Sequence, residues 1–323
     1  MSEAVMEHRL EGLEPDNPLA FLALLGLLRA LEEVDAGEAE EARWWPRAFW
    51  AVDSGAWRPV LRLAAEVDRR SLCGRIEDGI RAFSKAYALP ERAVPDFPLA
   101  EYRGLVDTAL DAGPSTDRGR LDVLAAVATD QVEPKDKKKK GQVARTPLCF
   151  ASGQEDFLPR LNKLLGAPSD GENVKQALFG RWQRRGDKRY SFRWDPAETA
   201  RQALMAGDPT DDRYRLGSET GANRLAVVGL STLPVLRDPA SGDTVVPGGA
   251  RADREIALHW PIWTEPASLA AIRALLVHPR LVQPNPERAE ALGYLGIAAI
   301  CRARTVKLRE YGSVLPGRLV ETA

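Results

Sequence analysis

Between Arg181 and Trp194 the chain reads RWQRRGDKRYSFRW. Six cationic side chains, Arg181, Arg184, Arg185, Lys188, Arg189 and Arg193, are interleaved with four aromatic ones, Trp182, Tyr190, Phe192 and Trp194. Cations neutralise phosphates and aromatic faces stack on unpaired bases, so the chemistry on offer is a grip on nucleic acid. Gly186-Asp187 interrupts the run as a turn between two short strands does. In the second strand, alternation sends Tyr190, Phe192 and Trp194 to one face and Arg189 and Arg193 to the other. The same pattern describes aromatics in a core with charges on a solvated face opposite, and both readings stand at this point.

The other residue types with chemical capacity are sparse. Asp208, Asp211 and Asp212 have the composition of a magnesium site such as a nuclease needs, but they sit in a polar, Pro-containing loop where aspartates also make turns. Glu133-x-Lys135 is half of a restriction-type nuclease motif, with Pro134 in its middle. Phosphate-binding GxxxxGK[ST], dinucleotide-binding GxGxxG and nucleophile-elbow GxSxG patterns are absent. His8, His259 and His278 are isolated from one another and from Cys73, Cys149 and Cys301, which form no CxxC pair. That pattern argues against a structural zinc site or a disulfide framework and fits a reducing cytoplasm. His259, between Leu258 and Trp260, reads as a core histidine. Gly221-Ala222-Asn223-Arg224 places small residues where a helix starts, which allows either a ligand or a neighbouring element to come close. Lys135 and Lys137 to Lys140 form a basic run that is either solvated or a salt-sensitive grip on phosphates. These residues describe a binding or assembly protein, with no catalysis, cofactor or metal expected.

The 323 residues are 44% apolar, with a formal net charge of −1. That composition suits one large or two ordinary domains and carries no global signature of a polyanion binder. Charge is local: Glu32 to Glu41 is acidic, while Lys135 to Lys140 and Arg181 to Arg193 are basic. Met1 to Arg9 is too polar for a signal peptide, and the apolar run from Leu19 to Leu28 is about half the length of a membrane span.

The elements that must position these residues follow from periodicity and punctuation. Asp16-Asn17-Pro18 caps and opens a helix apolar on most of its surface, with Gly26 marking a close approach by a neighbour. Arg43 to Asp53 and Trp57 to Leu63 read as strands joined at Ser54-Gly55, with Pro46 and Pro59 implying edges or bulges. Helices follow to Asp130, around Ile76, Ile80 and Phe83, around Tyr102 and Leu105, and around Leu121 and Leu124. Gln131 to Thr146 reads as a mobile loop and Thr146 to Ala151 as a short strand. A helix capped by Ser152 runs to Gly166, and another covers Asn173 to Phe179. A further helix opens at Asp195-Pro196 and ends near Gly207, and one covers Leu225 to Leu230. Paired strands flank Asp238 to Asp243, and a strand covers Ile256 to Trp263. Helices follow at Ser268 to Val277 and Glu287 to Leu292. Leu295 to Leu308 is a long strand ending in Arg302, Arg304, Lys307 and Arg309. The expectation is a helix-rich α+β fold, with a mostly helical N-terminal lobe over 1–145 and a mixed lobe over 146–323. The second lobe should hold an antiparallel sheet containing Arg189 to Trp194, Ile256 to Trp263 and Leu295 to Leu308. One basic face should then collect Arg181, Arg184, Arg185, Lys188, Arg189 and Arg193 with Arg224, Arg302, Arg304 and Lys307, with Lys137 and Lys138 as a loose extension.

Three stretches together carry a family resemblance: LEPDNPL at 13–19 running into FLALLGLLRALEE, FRWDPAE at 192–198, and GANRLA at 221–226. With Trp260-Pro261-Ile262-Trp263 and the strand GIAAICRAR, they resemble proteins of type I-G (formerly I-U) CRISPR loci. The nearest likeness is to the auxiliary family described as an extension of the CRISPR helicase-nuclease, and the first motif also resembles the start of that subtype's large subunit. The likeness spans most of the chain and weakens across 64–150. It implies a role in antiviral defence, with guide RNA and/or target DNA and other subunits of the complex as partners. In such complexes base pairing reads sequence while protein grooves hold backbone and displaced strand. Helicase and HD-nuclease motifs are absent here, so those activities are not implied.

Overall fold

The computed structural model describes residues 5–150, 156–167, 169, 171–198, 217–252, 255–282, 292–308 and 311–321. It is an α+β fold whose sheets are antiparallel. Met6–Arg9 (β1) is a strand that the polar sequence did not announce. Pro18–Asp35 (α1) begins where the Asn17 side chain accepts the Leu19 N–H at 2.9 Å. Arg47–Asp53 (β2) and Ala56–Leu63 (β3) form the expected hairpin. Ser54 and Gly55 both take positive φ, 49° and 80°, the backbone twist that a two-residue hairpin turn requires. The sheet order is β1-β3-β2, so Pro59 lies on the central strand and not on an edge. It sits where β1 ends: its carbonyl accepts from Leu10 N–H at 2.9 Å, and the nitrogen on that same side has no hydrogen to extend the ladder.

Arg69–Ser84 (α2), Leu99–Asp111 (α3) and Pro114–Val127 (α4) follow the predicted periodicity. Ala128–Thr129 (β4) pairs with Ala144–Arg145 (β5), closing the lysine-rich segment at its base. Thr146 to Phe150 is not a strand; Cys149 N–H turns back to the Thr146 carbonyl at 3.2 Å. Ala151 and the expected cap Ser152 lie outside the described residues. Phe157–Leu165 (α5), Glu172–Phe179 (α6) and Thr220–Leu230 (α7) come next. Leu236–Arg237 (β6) pairs with Thr244–Val245 (β7) around the predicted turn. Gly249–Ala252 (β8), Glu255–Trp263 (β9), Ile297–Leu308 (β10), Tyr311–Val314 (β11) and Arg318–Glu321 (β12) make the largest sheet; Leu269–Leu276 (α8), capped by the Ser268 side chain, falls between β9 and β10. Its order is β11-β10-β9-β8, with β12 also on β10. Most of the expected helix at 287–292 lies outside the described residues.

The segment 189–194 is absent from that sheet, which corrects the expected basic-aromatic hairpin. Lys188–Tyr190 forms one 3-10 turn, and in this stretch Gly186 makes an isolated bridge to Ser218. Arg184 and Arg193 take positive φ, 53° and 63°, which ends any extended run. The turn at Arg193 brings the Phe192 and Trp194 rings into a stack, centroids 4.7 Å apart, with both rings buried. These aromatics are core.

Helix α1 organises that core. It is buried on nearly every face, and the hydrophobic cluster around it runs from Leu10 to Val314. A Cβ on Gly26 would lie 1.7 Å from the Leu225 carbonyl oxygen, and one on Gly229 would lie 2.1 Å from that of Leu22. The two glycines therefore let α1 and α7 cross in backbone contact, which is what Gly26 in an apolar helix had implied. At its N-terminal end, the Phe21 ring stacks on Trp260 at 5.4 Å, and Trp260 Nε1 donates to the Pro15 carbonyl at 2.9 Å. Among the described residues no helix is long and apolar enough to cross a membrane.

A candidate nucleic-acid interface

A buried carboxylate anchors the basic stretch. Asp195, whose side chain is fully buried, accepts from Arg184 Nε at 2.6 Å and Asn17 Nδ2 at 3.1 Å. It also caps its own helical turn, taking the Ala197 N–H at 3.0 Å. Trp194 contributes its carbonyl to the Leu19 N–H at 3.1 Å, and its indole donates to the Leu148 carbonyl at 3.0 Å. On the other side of Arg184, the Glu219 carboxylate accepts the backbone N–H groups of Gln183 and Arg184, each at 3.2 Å, while Asn223 of α7 donates to the Glu219 carbonyl. Burial pushes the Glu219 carboxyl up from its ordinary value, against the pull of those two N–H groups. The stretches around 14–19, 192–198 and 219–224 thus meet through one polar node.

Glu198 completes it. Its carboxyl accepts from the Ser191 hydroxyl through Oε2, while Oε1 is out of reach of solvent and has no hydrogen-bond partner among the described residues. Burial, reinforced by the Asp195 charge, pushes this carboxyl up to about 8.

In front of the node lies a groove of about 650 Å³. One wall is basic and aromatic, with Arg58 of β3, Arg181, Trp182 and Arg184. Glu11, Glu14 and Asp53 also line it, and Asp53 is held by Arg9 at 2.6 Å. The Trp182 indole donates to the Ala177 carbonyl at 2.9 Å, and the Arg184 guanidinium lies 5.6 Å from its ring centroid. Trp182 is thereby fixed in the wall and polarised by a cation.

The remaining predicted residues have diverse positions. Arg181, Arg185 and Arg189 are exposed, and Arg189 pairs with Asp187 at 2.5 Å. Arg193 is half-buried, and Lys188 lies in the 3-10 turn. Arg224 corrects the expectation of a surface contact: it is 3% exposed and pairs with Glu77 of α2 at 2.5 Å. The small residues before it serve helix packing, since a Cβ on Gly221 would lie 2.0 Å from the Asn173 carbonyl oxygen. Arg302 and Arg304 are exposed on β10, where Arg304 pairs with Glu255 and Arg302 faces Arg318 across the strands; Lys307 is on the same strand. Lys137 and Lys138 are exposed on a 3-10 turn. Their neighbours fold back, Lys135 onto Asp243 at 2.7 Å and Lys139 onto Asp96 at 2.6 Å.

Asp208, Asp211 and Asp212 lie outside the described residues. Among the described residues no group of His, Cys, Asp and Glu is arranged to hold a metal ion. His259 is a core histidine, with Nδ1 3.2 Å from the Gly248 carbonyl, and burial lowers its basicity. The sequence reading passed over Arg58, although its place between Trp57 and Pro59 in a mostly apolar strand was a signal. It took Asp195 for a helix cap alone, and nothing local announces the second role as partner of Arg184. No family model, curated protein or solved structure matches the chain.

Proposed function

We propose that this chain is a non-catalytic nucleic-acid-binding subunit or accessory factor of a type I CRISPR interference complex, working in the cytoplasm with guide RNA and/or target DNA and the other subunits. The observation that carries the reading is the groove in which Arg58, Arg181 and Arg184 stand beside Trp182. The likeness of its three motifs to type I-G proteins supports the setting. Exposed Arg185, Lys137 and Lys138 extend the supply of cations. A single strand suits this groove better than a duplex. Its phosphates follow the arginines and its base N–H donors meet Glu11 and Glu14, whereas carboxylates repel a second phosphate backbone.

Fluorescence anisotropy with labelled single-stranded RNA, single-stranded DNA and duplex DNA across a salt titration tests this. Arg58→Ala with Arg181→Ala should weaken single-strand binding about tenfold or more and lower the salt slope by roughly two, since each lost phosphate contact removes about one. Arg184 is left intact because it holds Asp195. Undiminished binding by the double variant, or no binding by the wild type at low salt, would overturn the proposal.

A further inference from the structure

Trp45 is held in an unusual state. Its φ is +47°, a left-handed backbone that bulky side chains avoid, and its side chain is not buried in return: the residue is 48% exposed. The conformation is enforced by Asp35 at the end of α1, which accepts the Trp44 N–H at 3.0 Å and the Trp45 N–H at 2.9 Å. Asp35 is itself fixed by Arg75 at 2.7 Å, and the Arg75 guanidinium lies over the Trp44 ring at 4.4 Å. Trp44 thus turns inward against the core while Trp45 is presented outward. Strain of this kind, maintained by surrounding structure, concentrates at binding sites. Beside the ring is a recess of about 390 Å³ lined by Glu32, Asp35, Arg43, Pro46, Arg47 and Ser268.

We infer that Trp45 and this recess are the docking site for an arginine- or lysine-bearing segment of a partner protein. The charge of the segment selects that chemistry. From Glu32 to Arg47 the sequence has six acidic residues and two arginines; Glu33 pairs with Arg29, and Asp35 and Glu38 pair with Arg75, while Glu40 and Glu41 project from an exposed 3-10 turn just before Trp45. A nucleic-acid backbone is repelled here, whereas a cation gains both the indole face and the carboxylates. Arg43 demonstrates the geometry within the chain, with its guanidinium 5.5 Å from the Trp45 centroid and its Nε donating to the Glu38 carbonyl at 3.1 Å. Glu32 lines the recess with a carboxyl that burial pushes above its ordinary value, against the pull of Arg29 and Arg273. An exposed tryptophan with arginine beside it is also the composition of interface hot spots. The site stands on residues separate from the groove and holds whether or not the groove binds nucleic acid.

The test uses the full chain and a tetra-arginine amide as probe, with indole N–H resonances followed by NMR and affinity by calorimetry. The Trp45 resonance, assigned by its loss in Trp45→Phe, should shift on titration. Affinity should fall about tenfold or more in Trp45→Gly, which suits the left-handed backbone, and in Glu40→Gln with Glu41→Gln, while Trp45→Phe retains part of it. The groove variant Arg58→Ala with Arg181→Ala should bind the peptide as wild type does. An unmoved Trp45 resonance, undiminished affinity in Trp45→Gly, or an equal shift produced by a deoxythymidine decamer would overturn the inference.

Discussion

Glu198 shows what a carboxyl does when its chain context denies it solvent. Its ordinary value is 4.5 and its value here is about 8, with burial the main cause and the Asp195 charge the second. Below pH 4.5 folded and unfolded chains both hold this proton, and the group contributes no pH dependence. Between 4.5 and 8 the unfolded chain releases the proton and the folded chain keeps it, so stability falls as pH rises through that window. Glu198→Gln removes this dependence. Urea unfolding at pH 8 should show the variant more stable by roughly 4 kcal/mol, with the difference shrinking to a few tenths of a kcal/mol near pH 4.5. At the residue scale the sequence announced side-chain type but not company. Arg224 looked like any other arginine near a helix start; only the placement of Glu77, almost 150 positions earlier, decides that it is interior. Phe192 and Trp194 were ambiguous between base-stacking and core. The long-range partner Leu148, which takes the Trp194 indole hydrogen, settles them as core.

At the scale of elements, legibility followed locality. Asn17-Pro18 marked the start of α1 because capping is a contact over two residues, and Ser268 marked α8 for the same reason. The runs at Ile256 to Trp263 and Leu295 to Leu308 were readable as strands, and β9, buried at nearly every position, pairs antiparallel with β10. The stretch 181–194 misled because alternating cations and aromatics mimic strand periodicity, while the positive φ at Arg184 and Arg193 is imposed from outside by Asp195, Glu219 and the core. Gly26 was readable as a point of contact, and its partner was not. Gly26→Ala should force α1 and α7 apart and cost about 2–3 kcal/mol by urea denaturation, the scale of an overpacked core. Gly74 in α2 is the control: a Cβ there meets nothing within 4 Å, so Gly74→Ala should stabilise by roughly 0.5–1 kcal/mol.

Across the whole molecule, ties of long sequence separation dominate. The Arg224–Glu77 pair joins α7 to α2, the Tyr87 hydroxyl donates to the Val227 carbonyl at 2.5 Å, and the Trp263 indole donates to Ala48 at 2.6 Å. Arg224→Met leaves Glu77 buried without its countercharge and should destabilise by about 3–5 kcal/mol, whereas adding Glu77→Met should recover much of that loss in chemical denaturation. The helix that organises the core creates a problem during synthesis. Helix α1 is apolar on nearly every face, and the α7 backbone that covers it at Gly26 comes about 200 residues later. At translation rates of about 5–20 residues per second, the helix waits about 10–40 s for its partner. For that interval the growing chain displays a long greasy surface on the ribosome. Its yield in a cell therefore depends on the holding capacity of the chaperones that meet it there, as well as on the stability of the finished fold.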